Sequence, residues 1–137
     1  MKKSGRFLRG DLIACMFDRD SNSNEQLENA ESAAERQIKL AFSNPCFEYW
    51  FLCHFGYFPR PYETYNEVVH KLKQHMKNYN KDDPDLYLKT KDKLAVAVKN
   101  AKKIKEFHEN EGRELLKRET NPLTLVFELI ELIGEFK

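Results

Sequence analysis

The sequence predicts a helix-rich α/β domain with two short parallel strands and five or six helices. The run from Leu12 to Phe17 is apolar throughout, as expected for a strand that is buried on both faces of a parallel sheet. A second short strand is predicted at Ile38 to Phe42, and the segment between the two, Glu25 to Gln37, has the composition of a helix. A strand, a helix and a strand at this spacing form a βαβ unit with parallel strands and a right-handed crossover.

The chain after the second predicted strand is expected to be helical, beginning with the stretch SNPCFEYWFLCHF. Asn44 suits an N-cap and Pro45 suits the first helical position. The residues that follow are apolar around most of the helix circumference, which indicates a buried helix. We expect further helices at 64–77, at 86 to about 110 as one helix or two, and at 122–133, where Asn121-Pro122 repeats the start signal.

The overall composition indicates a single cytoplasmic domain spanning residues 1–137. The 23 basic and 22 acidic side chains nearly cancel, so only a local patch could attract a nucleic acid. Cys15, Cys46 and Cys53 each lie in an apolar run without a CxxC pattern, which favours reduced, packed thiols over disulfides. The start lacks the apolar core of a signal peptide, and no apolar run approaches the roughly 18 residues of a membrane helix.

Asp18 and Asp20 follow the first predicted strand directly, as the acidic residues of the stretch DRD. They should therefore lie at the carboxyl end of a parallel strand, where open α/β sheets bind their ligands. Two carboxylates at this spacing can approach one hard cation, and Mg²⁺ commonly takes one or two carboxylates while keeping several waters. One interpretation is therefore that Asp18 and Asp20 bind Mg²⁺, which can activate water at a phosphodiester.

Other interpretations of the DRD stretch remain open on the residues alone. A calcium loop would use Asp18, Asp20 and Asn22, but its sixth and twelfth positions hold Ser23 and Asn29 instead of Gly and Glu. A phosphatase of the haloacid dehalogenase type would also end a strand in D-x-D, but that family usually continues with Gly-Thr or a similar pair. The simplest alternative is that both aspartates only solvate a strand end and begin a turn.

The chain resembles the RloB-like family, which is linked to bacterial restriction and phage-defence loci. The resemblance rests on the stretches DRD and SNPCFEYWFLCHF and on the distance between them. Asn121-Pro122-Leu123-Thr124 is similar to that family's late NPST element, with Leu123 in the place of a serine. The resemblance extends from about Asp11 to the end of the chain. It implies a partial Toprim-like core, whose acidic residues bind Mg²⁺, and a phosphodiester-cleaving activity on DNA or RNA.

The resemblance also implies roles for individual acids. Asp18 and Asp20 match the metal motif, and Glu48 lies in the second signature, as a candidate third acid that would act in catalysis with Asp18. The alternative for Glu48 is a purely structural interaction with a helix N-terminus. Toprim domains further have an earlier strand followed by a glutamate, but the 17 residues before Asp18 contain no Glu. The resemblance therefore implies a core that is incomplete at its N-terminus.

An incomplete core suggests a second function. A missing first strand would leave a sheet edge exposed, and exposed edges pair with other chains. The alternative to a nuclease is thus a non-catalytic module that pairs with a second copy of itself or with a partner ATPase, since ATPases are associated with the family.

The segment from Lys89 to Lys105 is strongly basic, with seven lysines and a single acid, Asp92. Its apolar residues form one stripe of a helix, which leaves the lysines on the remaining face. Such a face can follow the phosphates of a nucleic acid, and we expect Lys99, Lys102 and Lys103 to make these contacts. An ordinary solvated helix would have the same pattern.

Overall fold

The computed structural model describes residues 13–19 and 38–134 of the chain. Three strands form one sheet in the order β1 (Ile13–Asp18), β2 (Ile38–Asn44) and β3 (Leu123–Thr124). The α-helices of the described residues are α1 (Glu48–Cys53), α2 (Tyr65–Lys73), α3 (Leu86–Thr90), α4 (Leu94–Asn110) and α5 (Val126–Gly134), and a 3-10 helix at Lys91–Lys93 joins α3 to α4. This is the helix-rich α/β fold that the sequence predicted. The predicted helix at Glu25 to Gln37 lies outside the described residues.

The sheet is mixed, and this corrects the prediction of two strands only. β1 and β2 are parallel, from Ile13 opposite Ile38 to Asp18 opposite Ser43. β3 adds to β2 in the antiparallel direction, with Thr124 opposite Ser43. A two-residue strand is too short to produce a period-two pattern, so the sequence contained no signal for it.

Both predicted Asn-Pro helix starts were wrong. Asn44 is the last residue of β2, and α1 begins only at Glu48, after an N-cap residue, Phe47, that makes no side-chain capping bond. The residues after Asn121-Pro122 form β3 before α5 begins at Val126. Capping is a local rule, and both asparagines instead bond to distant parts of the chain, as described below.

The hydrophobic core lies where β2, α1 and α4 meet. α1 packs against β2, α2 and α4, and it is buried on most of its surface, as its sequence predicted. The predicted apolar stripe of α4 is also confirmed, since Ala97, Ala101 and Ile104 are fully buried. Burial of a large apolar side chain contributes roughly 1.5–3 kcal/mol to the free energy of unfolding.

Two predictions from composition can be compared with the described residues. Cys46 and Cys53 are buried free thiols, and burial raises the pKa of Cys53, which keeps it protonated and unreactive. The helices in residues 13–19 and 38–134 are all too short or too polar to cross a membrane.

Candidate functional site

An open cavity of about 370 Å³ lies beside the carboxyl end of β1. Its charged lining residues are Asp18, Glu48 and Lys81, and we call it the acidic cavity. The remaining lining is largely aromatic and apolar, formed by Phe47, Phe51, Tyr65, Tyr79 and Leu86. A concave site with apolar walls and a few convergent polar groups is typical of a ligand-binding site.

The fold brings Asp18 and Glu48 to this cavity from two separate sequence motifs. Asp18 is the last residue of β1 and pairs in register with Ser43 of β2. The chain leaves β2 at Asn44 and enters α1 at Glu48. Because β1 and β2 are parallel, both motifs lie at the same end of the sheet, where the carboxyl ends of the two strands meet. Asp20, the other predicted metal ligand, lies outside the described residues.

Arg19 anchors the end of β1. Its side chain is buried, and its Nη2 donates a hydrogen bond to the carbonyl oxygen of Glu63 at 2.6 Å. Its own carbonyl oxygen accepts a hydrogen bond from Nη1 of Arg118 at 3.1 Å. Two distant segments therefore hold the backbone next to Asp18 in place.

Glu48 is buried and is oriented by Tyr79, a residue that the sequence analysis did not single out. Only 6% of Glu48 is exposed, and its Oε2 accepts a hydrogen bond from the Tyr79 hydroxyl at 2.9 Å. Burial and this bond raise the pKa of Tyr79, so the phenol remains a donor at all ordinary pH values. The bond occupies one carboxylate oxygen and leaves Oε1 for another ligand.

Lys81 brings a positive charge to the same cavity. It lies in the loop after α2, where the side-chain oxygen of Asn80 accepts a hydrogen bond from the amide of Asp82 at 2.9 Å. Such a turn is built by local contacts and presents Lys81 at the cavity wall. Its Nζ lies 5.7 Å from the centroid of the Tyr65 ring. No motif or period in the sequence linked this loop to the carboxylates.

The donor set of the acidic cavity fits a Mg²⁺ ion. Mg²⁺ is commonly held by one or two carboxylates and retains several waters, and the open cavity offers Asp18 and Glu48 with space beside them. Among the residues described, no three His, Cys, Asp or Glu side chains gather as a metal-binding group. The described lining residues include no Cys or His, and a donor set of carboxylates favours a hard cation over zinc.

A second polar cluster, the Asn-Pro seam, lies at the same end of the sheet and consists of Ser43, Asn44, Asn121 and Thr124. The hydroxyls of Ser43 and Thr124 are 2.8 Å apart and fully buried. The side chain of Asn121 both accepts from the amide of Tyr62 and donates to its carbonyl oxygen. The two Asn-Pro motifs, far apart in sequence, thus meet in space.

Asn44 makes the largest set of bonds in the Asn-Pro seam. Its Nδ2 shares two hydrogens among the carbonyl oxygens of Lys117, Arg118 and Thr120, at 3.0, 3.1 and 2.9 Å. The residue is completely buried. Asn44 therefore attaches the segment before β3 to the end of β2, next to the start of α1.

The predicted nucleic-acid contacts on α4 lie outside the lining of the acidic cavity. Lys99, Lys102 and Lys103 are all exposed, as expected for a solvated face. Lys102 pairs with Glu131 at 2.6 Å, and Nζ of Lys103 lies 4.5 Å from the centroid of the Tyr57 ring. Their role in nucleic-acid binding stays a prediction.

Comparisons with known proteins place the chain in one family. Searches of curated proteins and of solved structures found no match. A family model described as RloB-like protein matches residues 2–133, which is nearly the whole chain. The chain therefore belongs to the RloB-like family.

Proposed function

We propose that this RloB-like chain is a Mg²⁺-dependent nuclease of the Toprim type, acting in a phage-defence or restriction-linked system. The observation that supports this most is the meeting of Asp18 and Glu48 in one open cavity at the carboxyl end of parallel strands. The family's link to restriction and phage-defence loci supports the biological setting. We propose Mg²⁺ as the metal, a phosphodiester as the cleaved bond, and Asp18 and Glu48 as the acids that act on it.

The chain's own residues have distinct parts in this proposal. Asp18 and Glu48 would hold the ion, which supplies charge stabilisation and an activated water at the phosphodiester. Tyr79 keeps Oε2 of Glu48 in place, and Oε1 can bind the ion or accept a proton from water. The Lys81 ammonium would neutralise charge that develops on the phosphate, a role that cations often have in phosphoryl chemistry.

Calorimetric titration with Mg²⁺ and Mn²⁺ tests the metal site. The wild-type protein should bind, and Asp18→Asn or Glu48→Gln should weaken binding by at least about tenfold, since each removes one charged ligand. Asp92→Asn removes an exposed acid outside the cavity and should leave binding unchanged. Equal affinities in the wild type and both cavity variants would contradict the site.

Cleavage of end-labelled DNA and RNA tests the activity itself. We expect metal-dependent product from the wild type and none above background from Asp18→Asn. Product that survives EDTA, or equal cleavage by wild type and Asp18→Asn, would contradict the proposed mechanism. A protein that binds metal but cuts neither polymer would contradict the nuclease while leaving the metal site standing.

The sheet supports a second candidate, the interaction module. Among the described strands, β1 forms one edge of the sheet, because the order is β1, β2, β3. A strand from a second copy or from a partner ATPase could add to this edge through main-chain hydrogen bonds. Sedimentation should then show a concentration-dependent dimer, or a stable complex with the ATPase. A monomer at all concentrations that also fails to bind the ATPase would contradict the module.

A further inference from the structure

A second open cavity, of about 490 Å³, shares a wall with the acidic cavity. Tyr65, Tyr79 and Lys81 line both. Because Lys73 is the further cation of its lining, we call it the lysine cavity. Both volumes fall in the range of roughly 300–1,000 Å³ that is usual for ligand sites. The shared wall means that one extended ligand can occupy both spaces.

The lysine cavity carries positive charge that is not neutralised by ion pairs. Lys73 and Lys81 are exposed, and within the described part of the chain neither forms a salt bridge. Asp82 is the one carboxylate among the lining residues that the structure describes, against two ammonium groups. An anion that enters this cavity therefore meets a net attraction.

Two of the four lysines of α4 are in a different state, whereas Lys99 and Lys103 form no salt bridge within the described part of the chain. Lys102 pairs with Glu131 at 2.6 Å, and Lys105 pairs with Glu128 at 2.5 Å. A phosphate that approached either ammonium would have to compete with a carboxylate already in contact. Lys73 and Lys81 are thus more available to a phosphate than Lys102 and Lys105, and unlike Lys99 and Lys103 they line a cavity.

We propose that the lysine cavity binds the backbone of a single-stranded nucleic acid whose adjacent phosphodiester lies in the acidic cavity. This inference rests on the proposed function, because it extends the strand outward from the metal site. Positive charge then follows the path of the strand. A metal held by Asp18 and Glu48, with Lys81 on the shared wall, takes one phosphate, and Lys73 takes the phosphate next to it.

Two features favour a single strand over a duplex. The half-buried ring of Tyr65 lies in the wall common to both cavities, and aromatic rings beside cations are typical of sites for unpaired bases. Asn78 and Asn80 add exposed amides to the lining, which can bond to phosphates or base edges. Bases are accessible to such groups when they are unstacked and unpaired.

Fluorescence anisotropy with short labelled DNA and RNA single strands tests this inference, with Ca²⁺ in place of Mg²⁺ to limit cleavage. The double variant Lys73→Ala/Lys81→Ala should weaken binding by about tenfold or more. It should also make the negative slope of log affinity against log salt shallower by about 1.4, because each lost phosphate contact on a single strand removes about 0.7 from its magnitude. Both side chains are exposed, so the variant should remain folded.

A matched control removes two positive charges elsewhere. Arg60→Ala/Lys91→Ala replaces two exposed residues that line neither cavity, and it should leave affinity and salt slope unchanged. The triple variant Lys99→Ala/Lys102→Ala/Lys103→Ala tests the surface that the sequence predicted. Lost binding in the triple variant together with unchanged binding in the cavity variant would overturn the inference. Tighter binding of a duplex than of either single strand would overturn it as well.

Failure here can be told apart from failure of the proposed function. The calorimetric metal titration uses no nucleic acid, and the anisotropy assay does not depend on cleavage. If metal binding requires Asp18 but strand binding is unchanged in Lys73→Ala/Lys81→Ala, only the proposed path of the strand is contradicted. If strand binding requires the two lysines but the protein binds no metal, only the proposed nuclease is contradicted.

Discussion

The Asn-Pro seam and the acidic cavity lie within a few residues of each other at the end of β2, yet they use polar groups in opposite ways. In the seam, neutral amides and hydroxyls are buried and bond to the chain itself. In the cavity, charged groups line an open space of about 370 Å³. A buried polar network whose groups bond mainly to the chain itself stabilises one structure, although among the described residues Oδ1 of Asn44 has no hydrogen-bond partner. Carboxylates around an open space can instead take a ligand.

This difference separates neighbouring residues of one motif by function. Within SNPCFE, Ser43 and Asn44 bond the end of β2 to β3 and to the segment before it, whereas Glu48 lines the cavity. We therefore expect substitutions in the seam to act mainly on the free energy of unfolding. Substitutions in the cavity should act mainly on ligand binding. The following experiments test that division.

The largest effect on stability is expected for Asn44→Ala. The substitution removes the donor of the carbonyl oxygens of Arg118 and Thr120, while the carbonyl oxygen of Lys117 keeps its bond from the amide of Thr120. We expect the free energy of unfolding to fall by about 3 kcal/mol, since each buried polar group left without a partner costs 1–3 kcal/mol. Urea unfolding followed by circular dichroism measures it.

Asn110→Ala is the matched control for this substitution. Asn110 is exposed at the end of α4, and its replacement should change the free energy of unfolding by less than about 0.5 kcal/mol. Equal, small effects of the two substitutions would show that the seam does not hold the fold together.

The next effect combines a loss of stability with a loss of binding, because Tyr79 is buried and its hydroxyl bonds to Glu48 in the acidic cavity. Tyr79→Phe removes the 2.9 Å bond to Glu48 and should lower the free energy of unfolding by about 2 kcal/mol, as for other bonds to charged groups. Metal affinity should fall by about tenfold, because residues that orient a metal ligand typically contribute that much. Calorimetry and urea unfolding on the same sample measure both.

Tyr87→Phe provides the comparison for Tyr79→Phe. Tyr87 is 67% exposed, so loss of its hydroxyl should affect neither stability nor metal affinity. Reduced stability with unchanged metal affinity in Tyr79→Phe would assign Tyr79 to the fold alone and not to the cavity.

The smallest expected effect is a pH dependence of stability that arises from His108, which contacts Pro122 beside the seam. Nε2 of His108 lies 2.7 Å from the carbonyl oxygen of Pro122, and Arg113 donates to its Nδ1 at 3.1 Å. Burial lowers the pKa of His108, and the positive charge of Arg113 lowers it further, although the bond to Pro122 opposes them. The unfolded chain, with a histidine pKa of about 6.5, therefore takes up the proton first.

The sign of the pH dependence follows from this order of protonation. Stability should be complete above a pH of about 6.5 and should fall as the pH drops below it toward the lowered pKa of the folded state. His108→Asn should reduce this dependence in urea unfolding, while replacement of the exposed His70 by Asn should preserve it. Stability that rises as the pH falls below about 6.5 would contradict the assignment of a neutral, buried His108.

The two regions also differ in how far the sequence could predict them. The position of Asp18 follows from a general rule on parallel strands, and Glu48 was found through its motif. Asn44 was assigned wrongly, since the capping rule considers only near neighbours and its hydrogen-bond acceptors lie more than 70 positions away. Tyr79 and Lys81 come from a loop without motif or period, so only the fold could bring them to the carboxylates.

The most direct measurement is an anomalous difference map from crystals soaked with Mn²⁺, which replaces Mg²⁺ on oxygen ligands. A site formed by Asp18 and Glu48 predicts a strong peak in contact with both carboxylates in the acidic cavity. Crystals of Asp18→Asn soaked in the same way should lack that peak. Mn²⁺ bound elsewhere, with both carboxylates ordered and without metal, would contradict the acidic cavity as the functional site.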